Sequence, residues 1–218
     1  MDIAYRDYSL ENLLDLQKRG LDVSPMRSLF EQNRVVSSLA GELDQKACWE
    51  VFSDGELAAR HFTAEERRVF RRHIPWTRVV GHRRTQLPDG TEGDLPEFAR
   101  KEREMLVLKP NRSYGGQGVV LGEALSQEEW GTALDQALRE PHSWVVQRLV
   151  NLPVHEFPAR GVDGRLYPEP FYVVMGLTPS VDGLSILGRG SQKQVVNVAQ
   201  RGGLCVVFIG RGPGRMIA

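Results

Sequence analysis

A lysine followed by closely spaced glycines is the most informative chemical feature of the sequence. Lys109 follows the apolar run 106–108, and Gly115, Gly116 and Gly118 come next, before a second short apolar run returns. Glycine lets backbone N–H groups approach phosphate oxygens, because no Cβ blocks positive φ or close contact. With the lysine as a point charge, such a hairpin could close over a triphosphate and neutralise charge during phosphoryl transfer.

The same segment has a simpler interpretation, which is a glycine-rich β-hairpin turn with a lysine beside it. Its spacing is not the Walker pattern, because no Gly-Lys-Ser/Thr follows, and Leu121 occupies the last position of a Gly-x-Gly-x-x-Gly pattern. Two further glycine-rich stretches, 188–193 and 210–214, match no phosphate-loop pattern either. We expect both stretches to be turns.

The composition is that of an ordinary globular chain. Its 218 residues are 41% hydrophobic and 26% charged, which suffices for one large domain or two small ones. Lys plus Arg and Asp plus Glu both number 28, so no global field attracts nucleic acid, membranes or acidic substrates. Without a membrane span or a signal-peptide pattern, we expect a cytoplasmic protein with no membrane partner. Cys48 and Cys205 are expected to be structural thiols.

The first half of the sequence alternates helical and strand-like patterns. Residues 9–19 have an N-cap serine, helically spaced apolar residues and a terminal glycine, which predicts a helix. The flanking runs 2–5 and 21–23 resemble strands and would complete a β-α-β element. Further helices are predicted around 44–52 and over 63–72, the second from its capping box.

The polar, turn-rich residues 81–94 predict an internal boundary, which we place near residue 90. An N-terminal α/β segment with an Arg-rich helix, 1–90, would precede a second portion, 91–218. That portion contains one helix, 126–138, among short apolar strands, which predicts an α+β fold. The helix would bury Trp130, Leu134 and Leu138, and the strands are predicted at 105–108, 119–121, 144–149, 170–175, 194–198 and 204–209.

Three blocks of the second portion match one known family in order and spacing. They are Leu108-Lys109-Pro110 with Tyr114-Gly115-Gly116-Gln117-Gly118-Val119, then Glu129-Trp130, then Trp144-Val145-Val146-Gln147-Arg148-Leu149-Val150. They resemble the circularly permuted ATP-grasp proteins related to glutathionylspermidine synthase. The resemblance continues more weakly through residues 30–34, 44–46, 188–189 and 196–203. It implies an ATP-grasp-like α+β fold, with mixed or antiparallel sheets, flanking helices and a glycine-rich β-hairpin lid.

The resemblance also implies a reaction. ATP-grasp ligases use ATP and Mg²⁺ to join a carboxylate to an amine or thiol through an acylphosphate, so the expected substrates are a small-molecule carboxylate and an amine or peptide. Complete ATP-grasp enzymes are usually longer than this chain, so it could be one portion of a larger ligase.

Site residues follow from the same resemblance. In the family, the strand ending in Val-Val-Gln lies beneath the adenine, so Gln147 would read its exocyclic amine and Leu149 would supply backbone contacts. A second phosphate-binding lysine comes from an earlier segment, where Lys46 is the candidate. We expect Arg189, in the weakly similar stretch 188–189, to be a catalytic residue. The cofactor-binding set implied is Lys46, Lys109, Ser113, Gly115, Gly116, Gly118, Gln147 and Leu149.

Residues 60–84 are rich in arginine and could form a phosphate or RNA surface. Four of these arginines recur at helical spacing as one solvated face, and aromatic platforms for base stacking are scarce, so we expect no specific nucleic-acid partner. Arg78 differs, because it follows the short, rigid, apolar stretch 74–77. We expect it to bind an anion as a second catalytic arginine.

The metal site departs from the family pattern. Asn197 is the expected Mg²⁺ ligand, but Val195 stands where the family has a glutamate two residues earlier. Acidic residues from neighbouring strands could complete the site, and the candidates are Asp163, Glu169 and Asp182. Otherwise the site is completed elsewhere or catalysis has been lost. A non-catalytic nucleotide-binding or partner-binding module, and an RNA-associated protein, therefore remain alternatives.

Overall fold

A computed structural model describes residues 3–37, 39, 45–196 and 202–210. Contacts within the chain cluster into two compact units, Met1–Arg78 and Val79–Ala218. In the described part of the chain, no helix has the length and apolar character needed to cross a membrane.

The first unit is mostly helical, with a small parallel strand pair. The elements are β1 (Ala4–Tyr5), α1 (Leu10–Lys18), α2 (Ser24–Glu31), β2 (Val35–Val36), α3 (Cys48–Ser53), α4 (Gly55–His61) and α5 (Ala64–His73). Helices α1 and α5 confirm two predictions, and both begin with a capping box, at Ser9 and Thr63. Phe52, Phe62 and Phe70 pack α3, α4 and α5 together, with ring centroids 4.9 to 5.4 Å apart.

The predicted strand at 21–23 is wrong. Asp22 instead accepts the N–H of Ser24 at 2.9 Å, and Pro25 lies in the first turn of α2, where its missing N–H is not needed. The parallel partner of β1 is β2, with Ala4 opposite Val35. The opening element is therefore a strand, two helices and a strand.

The second unit contains most of the strands. In chain order its elements are β3 (Thr77–Val79, which crosses the boundary), β4 (Arg84–Gln86), β5 (Glu92–Asp94), α6 (Leu95–Lys101), β6 (Leu106–Pro110), β7 (Val120–Leu121), α7 (Gln127–Arg139), β8 (Trp144–Arg148), β9 (Val154–Arg160), β10 (Leu166–Ser180), β11 (Gly183–Ser191) and β12 (Gly203–Cys205). One sheet has the order β3-β8-β6-β7, and another has the order β12-β11-β10-β9. With antiparallel pairs throughout β6 to β8 and β9 to β12, the chain is α+β, as predicted.

Residue 90, where the sequence predicts a domain boundary, lies in the turn of the hairpin formed by β4 and β5. The core of this unit is the β6–β8 pair, where Leu106, Leu108, Val145 and Val146 are at most 1% exposed. Helix α7 confirms the predicted helix, with one change to its buried stripe. Trp130 and Leu134 are buried and Trp130 Nε1 donates to the Ala99 carbonyl at 2.8 Å, but Ala137 is buried where Leu138 was expected.

The expected turn at 188–193 is wrong for its first four residues, because Gly188 to Ser191 lie within β11. A Cβ on Gly188 would stand 2.7 Å from Cys205 Sγ and 2.9 Å from the Cys205 carbonyl of β12. Glycine therefore serves the close approach of two strands rather than a turn. The predicted strand at 194–198 is absent from the described residues 194–196, and that at 204–209 is the shorter β12. The second glycine stretch, 210–214, lies almost entirely outside the described residues.

Candidate functional site

The register of β6 and β8 brings two predicted site residues together. Val107 lies opposite Gln147, so Lys109, two residues beyond Val107, is on the same face of the pair and diagonal to Gln147. Lys109 Nζ donates to Gln147 Oε1 at 2.6 Å. The strands thus hold an ammonium group against an amide oxygen at the end of a buried ribbon.

Burial differs between these two side chains. Gln147 is only 9% exposed, whereas Lys109 is half-buried. An amide oxygen carries two lone pairs and can accept a second hydrogen bond. Gln147 could therefore orient Lys109 and also accept a hydrogen bond from an amine of a ligand.

The loop from β6 to β7 has the backbone that its glycines permit. Gly115, Gly116 and Gly118 have φ of 65°, 75° and 69°, all in the left-handed region. Val107 pairs with Leu121 below them, which confirms the predicted hairpin. Within the loop, Gln117 N–H donates to the Tyr114 carbonyl at 3.1 Å. Ser113, the remaining predicted binding residue of the loop, is half-buried.

Leu149 lies just beyond β8, with its N–H already engaged. That N–H donates to the Met105 carbonyl at 2.8 Å, so the carbonyl of Leu149 is the group through which the predicted backbone contact to a base would be made.

Arg189 occupies the middle of the second sheet, between Val174 of β10 and Leu204 of β12. Its Nε is a buried side-chain nitrogen that finds no hydrogen-bond acceptor in the described part of the chain. A buried donor without an acceptor is costly, and an anionic ligand is one group that would satisfy it. The geometry is thus compatible with the predicted catalytic role, which stays a prediction.

Arg78 has protein partners for its guanidinium. It is 0% exposed, lies 3.3 Å from an Asp54 carboxylate oxygen, and donates to Ser53 Oγ at 3.2 Å and to the Thr77 carbonyl at 2.8 Å. Asp54 also caps α4 by accepting backbone N–H groups. Through these contacts, Arg78 connects α3, α4 and the start of β3. The feature of the sequence that could have indicated this pairing is Asp54, an acidic residue immediately before a helix. Anion binding by Arg78 stays a prediction.

The other predicted ligands are dispersed along the chain. Lys46 lies in the first unit, half-buried in the turn before α3, where its carbonyl accepts the N–H of Trp49. Asn197 lies outside the described residues. The roles of both residues stay predictions.

The acidic candidates for a metal site do not converge. Asp163 accepts the hydroxyl of Tyr167 at 2.7 Å and the Arg165 N–H, and these hydrogen bonds lower the pKa of Asp163. Asp182 lies in the β10–β11 turn, and Glu169 accepts a hydrogen bond from Gln192. Across the described ranges, no three His, Cys, Asp or Glu side chains gather as a metal-binding group. The described residues therefore do not by themselves fit the Mg²⁺ site that the family implies.

The arginine-rich helix α5 presents most of its arginines to solvent. Arg68, Arg71 and Arg72 are exposed, and Arg68 lies 3.7 Å from Glu65. Arg67 is half-buried and its Nε donates to the Thr63 carbonyl at 3.4 Å. This pattern agrees with a solvated helix face.

Asn111 is a site residue that sequence reasoning missed. It follows Lys109 and Pro110, is 7% exposed, and bonds to the turn between α7 and β8. Its partners, His142 and Ser143, are distant in sequence, so only its position at the start of the glycine loop could have indicated a role.

Comparison with known proteins gives a distant relationship. The sequence matches no protein-family model. It is 34% identical over 105 residues to uncharacterized proteins of Mycobacterium bovis and Mycobacterium tuberculosis, which covers 45% of this chain and 18% of each relative. The chain is also 28% identical over 180 residues to the ATP-grasp enzyme ankG of Aspergillus thermomutatus, covering 78% of this chain and 32% of that enzyme.

These matches bear on the class of protein. The likeness to ankG hints at a relation to ATP-grasp enzymes across most of the chain, and it agrees with the α+β architecture. The chain spans about a third or less of the length of the relatives it matches. Circular permutation and the relation to glutathionylspermidine synthase stay predictions.

Proposed function

We propose that the chain binds ATP through the β6–β7 hairpin and takes part in ATP-dependent ligation of a carboxylate to an amine or thiol. The observation that carries the proposal is the Lys109–Gln147 contact at the root of a loop whose glycines adopt left-handed conformations. The similarity to an ATP-grasp enzyme supports the same class of chemistry.

Each residue has a defined task in this proposal. Backbone N–H groups of the glycine loop and the Lys109 ammonium bind the phosphates, since glycine permits close approach and the lysine supplies charge. Gln147 Oε1 and the Leu149 carbonyl accept hydrogen bonds from the adenine amine. Arg189, with its unsatisfied Nε, binds the carboxylate or the transferred phosphoryl group.

The proposed reaction has two steps. A carboxylate oxygen of the substrate attacks the γ-phosphorus, the bond to the β–γ bridging oxygen breaks, and ADP leaves with that electron pair. The amine or thiol then attacks the acyl carbon, inorganic phosphate leaves, and the nucleophile loses its proton. Lys109 and the loop amides would stabilise the charge that develops on the phosphate oxygens. Asn197 is the residue expected to hold Mg²⁺.

A second candidate is a non-catalytic nucleotide-binding module. The observation favouring it is that the acidic candidates Asp163, Glu169 and Asp182 do not converge on a metal site. In this case ATP would bind through the same hairpin, without transfer of its phosphoryl group.

Thermal unfolding with Mg²⁺ and ATP tests nucleotide binding. ATP at about 100 times its Kd should stabilise the folded state by about 2.7 kcal/mol, which raises Tm by roughly 5–10 °C for a chain of this size. Mg·CTP is the control, because it carries the same triphosphate without adenine. An unchanged Tm at millimolar ATP contradicts both candidates. ADP release in the presence of carboxylates and amines then separates the ligase from the non-catalytic module.

A further inference from the structure

Both ends of the glycine loop lie against residues 140–144, which are the turn after α7 and the first residue of β8, and which we call the support turn. At the first end, Asn111 N–H donates to the Ser143 carbonyl at 2.7 Å and Asn111 Nδ2 donates to the His142 carbonyl at 3.1 Å. At the last end, Gly118 lies so close to Pro110 that a Cβ would meet the Pro110 ring at 2.7 Å and the Trp144 ring at 3.9 Å.

The strand register explains why the Asn111 N–H bonds to this turn. In an antiparallel pair only alternate residues hydrogen-bond to the same neighbour, so Pro110, opposite Trp144, is not a donor position towards β8. Asn111 is the next donor position after Lys109, and its bond to Ser143 continues the strand pairing beyond Lys109. The side-chain amide adds a second bond to the same turn.

The support turn is itself well fixed. Ser143 N–H donates to the Glu140 carbonyl at 3.1 Å, and Trp144 Nε1 donates to the Glu140 carboxylate at 2.8 Å. On the other side, Val80 N–H donates to the Trp144 carbonyl at 2.9 Å. His142 has φ of +64°, a conformation that is strained for a residue other than glycine. Its carbonyl accepts the hydrogen bond from Asn111 Nδ2. A residue that hydrogen-bonds to this turn is therefore held in a defined position.

We propose that Asn111 is a positioning residue, which sets the glycine loop and Lys109 in their binding arrangement by holding the loop to the support turn. The proposal rests on nucleotide binding by this hairpin. Asn111 itself does not contact the nucleotide. It lowers the conformational freedom that the loop loses when it closes on phosphates, and so increases affinity by preorganisation.

Three variants test the proposal. Asn111→Ala and Asn111→Leu both remove the Nδ2 donor, and leucine keeps a side chain of similar volume. His142→Gly removes a side chain but keeps the carbonyl that Asn111 uses, and glycine tolerates the positive φ at that position. It is therefore the matched control. The measurements are amide hydrogen exchange of the apo proteins and calorimetric titration with Mg·ATP.

Faster exchange confined to residues 111–119 is expected for both Asn111 variants, together with a Kd for ATP raised about fivefold to tenfold, a single-hydrogen-bond effect. His142→Gly should leave both properties unchanged. Unchanged exchange in the Asn111 variants overturns the proposal, and so does faster exchange with unchanged Kd. If the wild-type protein fails to bind ATP while exchange rises as expected, the proposed function is wrong but the holding of the loop by Asn111 is supported.

Discussion

Two segments of the second unit share the spacing Gly-x-Gly and use it in opposite ways. In Gly116-Gln117-Gly118 both glycines have positive φ and lie in the loop between β6 and β7. Gly188-Arg189-Gly190 is part of an extended strand with partners on both sides, and Gly188 is tightly covered by Cys205. Glycine at the same spacing thus permits positive φ in the loop and close packing of two strands in the sheet. A glycine pattern alone therefore does not distinguish a loop that could bind phosphate from a packed strand.

The largest effect is expected at the packed glycine. Gly188→Val should lower the free energy of unfolding by about 3 kcal/mol, because the new side chain meets the backbone of β12 at 2.9 Å. Gly203→Val on β12 is the matched control, since nothing lies within 4 Å of its Cβ position. It should change stability by less than about 1 kcal/mol. Urea unfolding measures both, and equal stability of the two variants would remove the packing explanation.

The loop glycine should affect nucleotide binding more than folding. Gly116→Val places a β-branched residue at φ +75°, which costs about 1 to 3 kcal/mol of strain. It also blocks the approach of phosphates, so the Kd for ATP should rise at least about tenfold, worth roughly 1.4 kcal/mol.

Gly90→Val controls for backbone strain in this experiment. Gly90 has φ +88° in an open turn, so valine there introduces comparable strain away from the proposed site. Titration calorimetry and thermal unfolding separate the two effects. Normal ATP binding by the Gly116 variant would show that the loop glycines serve the turn alone.

The arginine between the two packed glycines should have the smallest effect on stability. Arg189→Met removes a buried donor that lacks an acceptor, so the free energy of unfolding of the apo protein should change by no more than about 1 kcal/mol. ADP release, if the chain catalyses it, should fall about tenfold or more, because an anion contact is lost. Strong destabilisation of the apo protein would instead assign Arg189 a structural role.

Local signals in the sequence predicted much of this fold. Capping boxes at Thr63 and Ser126 define their helices through residues three positions apart, and both helices are present. Gly188 lies in a strand paired with Met175 of β10 and Cys205 of β12, and the partner of Arg78 is Asp54. Such contacts arise only when the chain folds, which is why the turn at 188 was wrong and the partner of Arg78 was missed.

The candidate site, like the fold, is predicted in part from the sequence. Lys109 is identified from its position between an apolar strand and the glycine loop, and Gln147 from the family resemblance; the antiparallel register of β6 and β8 brings them into contact. The role of Asn111 was not visible, because its partners on the support turn lie about thirty residues away and bond through backbone carbonyls, which any residue type carries.

Titration of Mg·ATP into Lys109→Met and Lys101→Met tests the central claim most directly. Lys101 is an exposed lysine 3.6 Å from Glu102, away from the glycine loop in sequence, and its substitution should leave the Kd of the wild-type protein unchanged. Lys109→Met should weaken binding by about 1 to 3 kcal/mol, the range for a charge-assisted hydrogen bond. Equal Kd values for wild type and both variants would contradict the assignment of the β6–β7 hairpin as the phosphate-binding site.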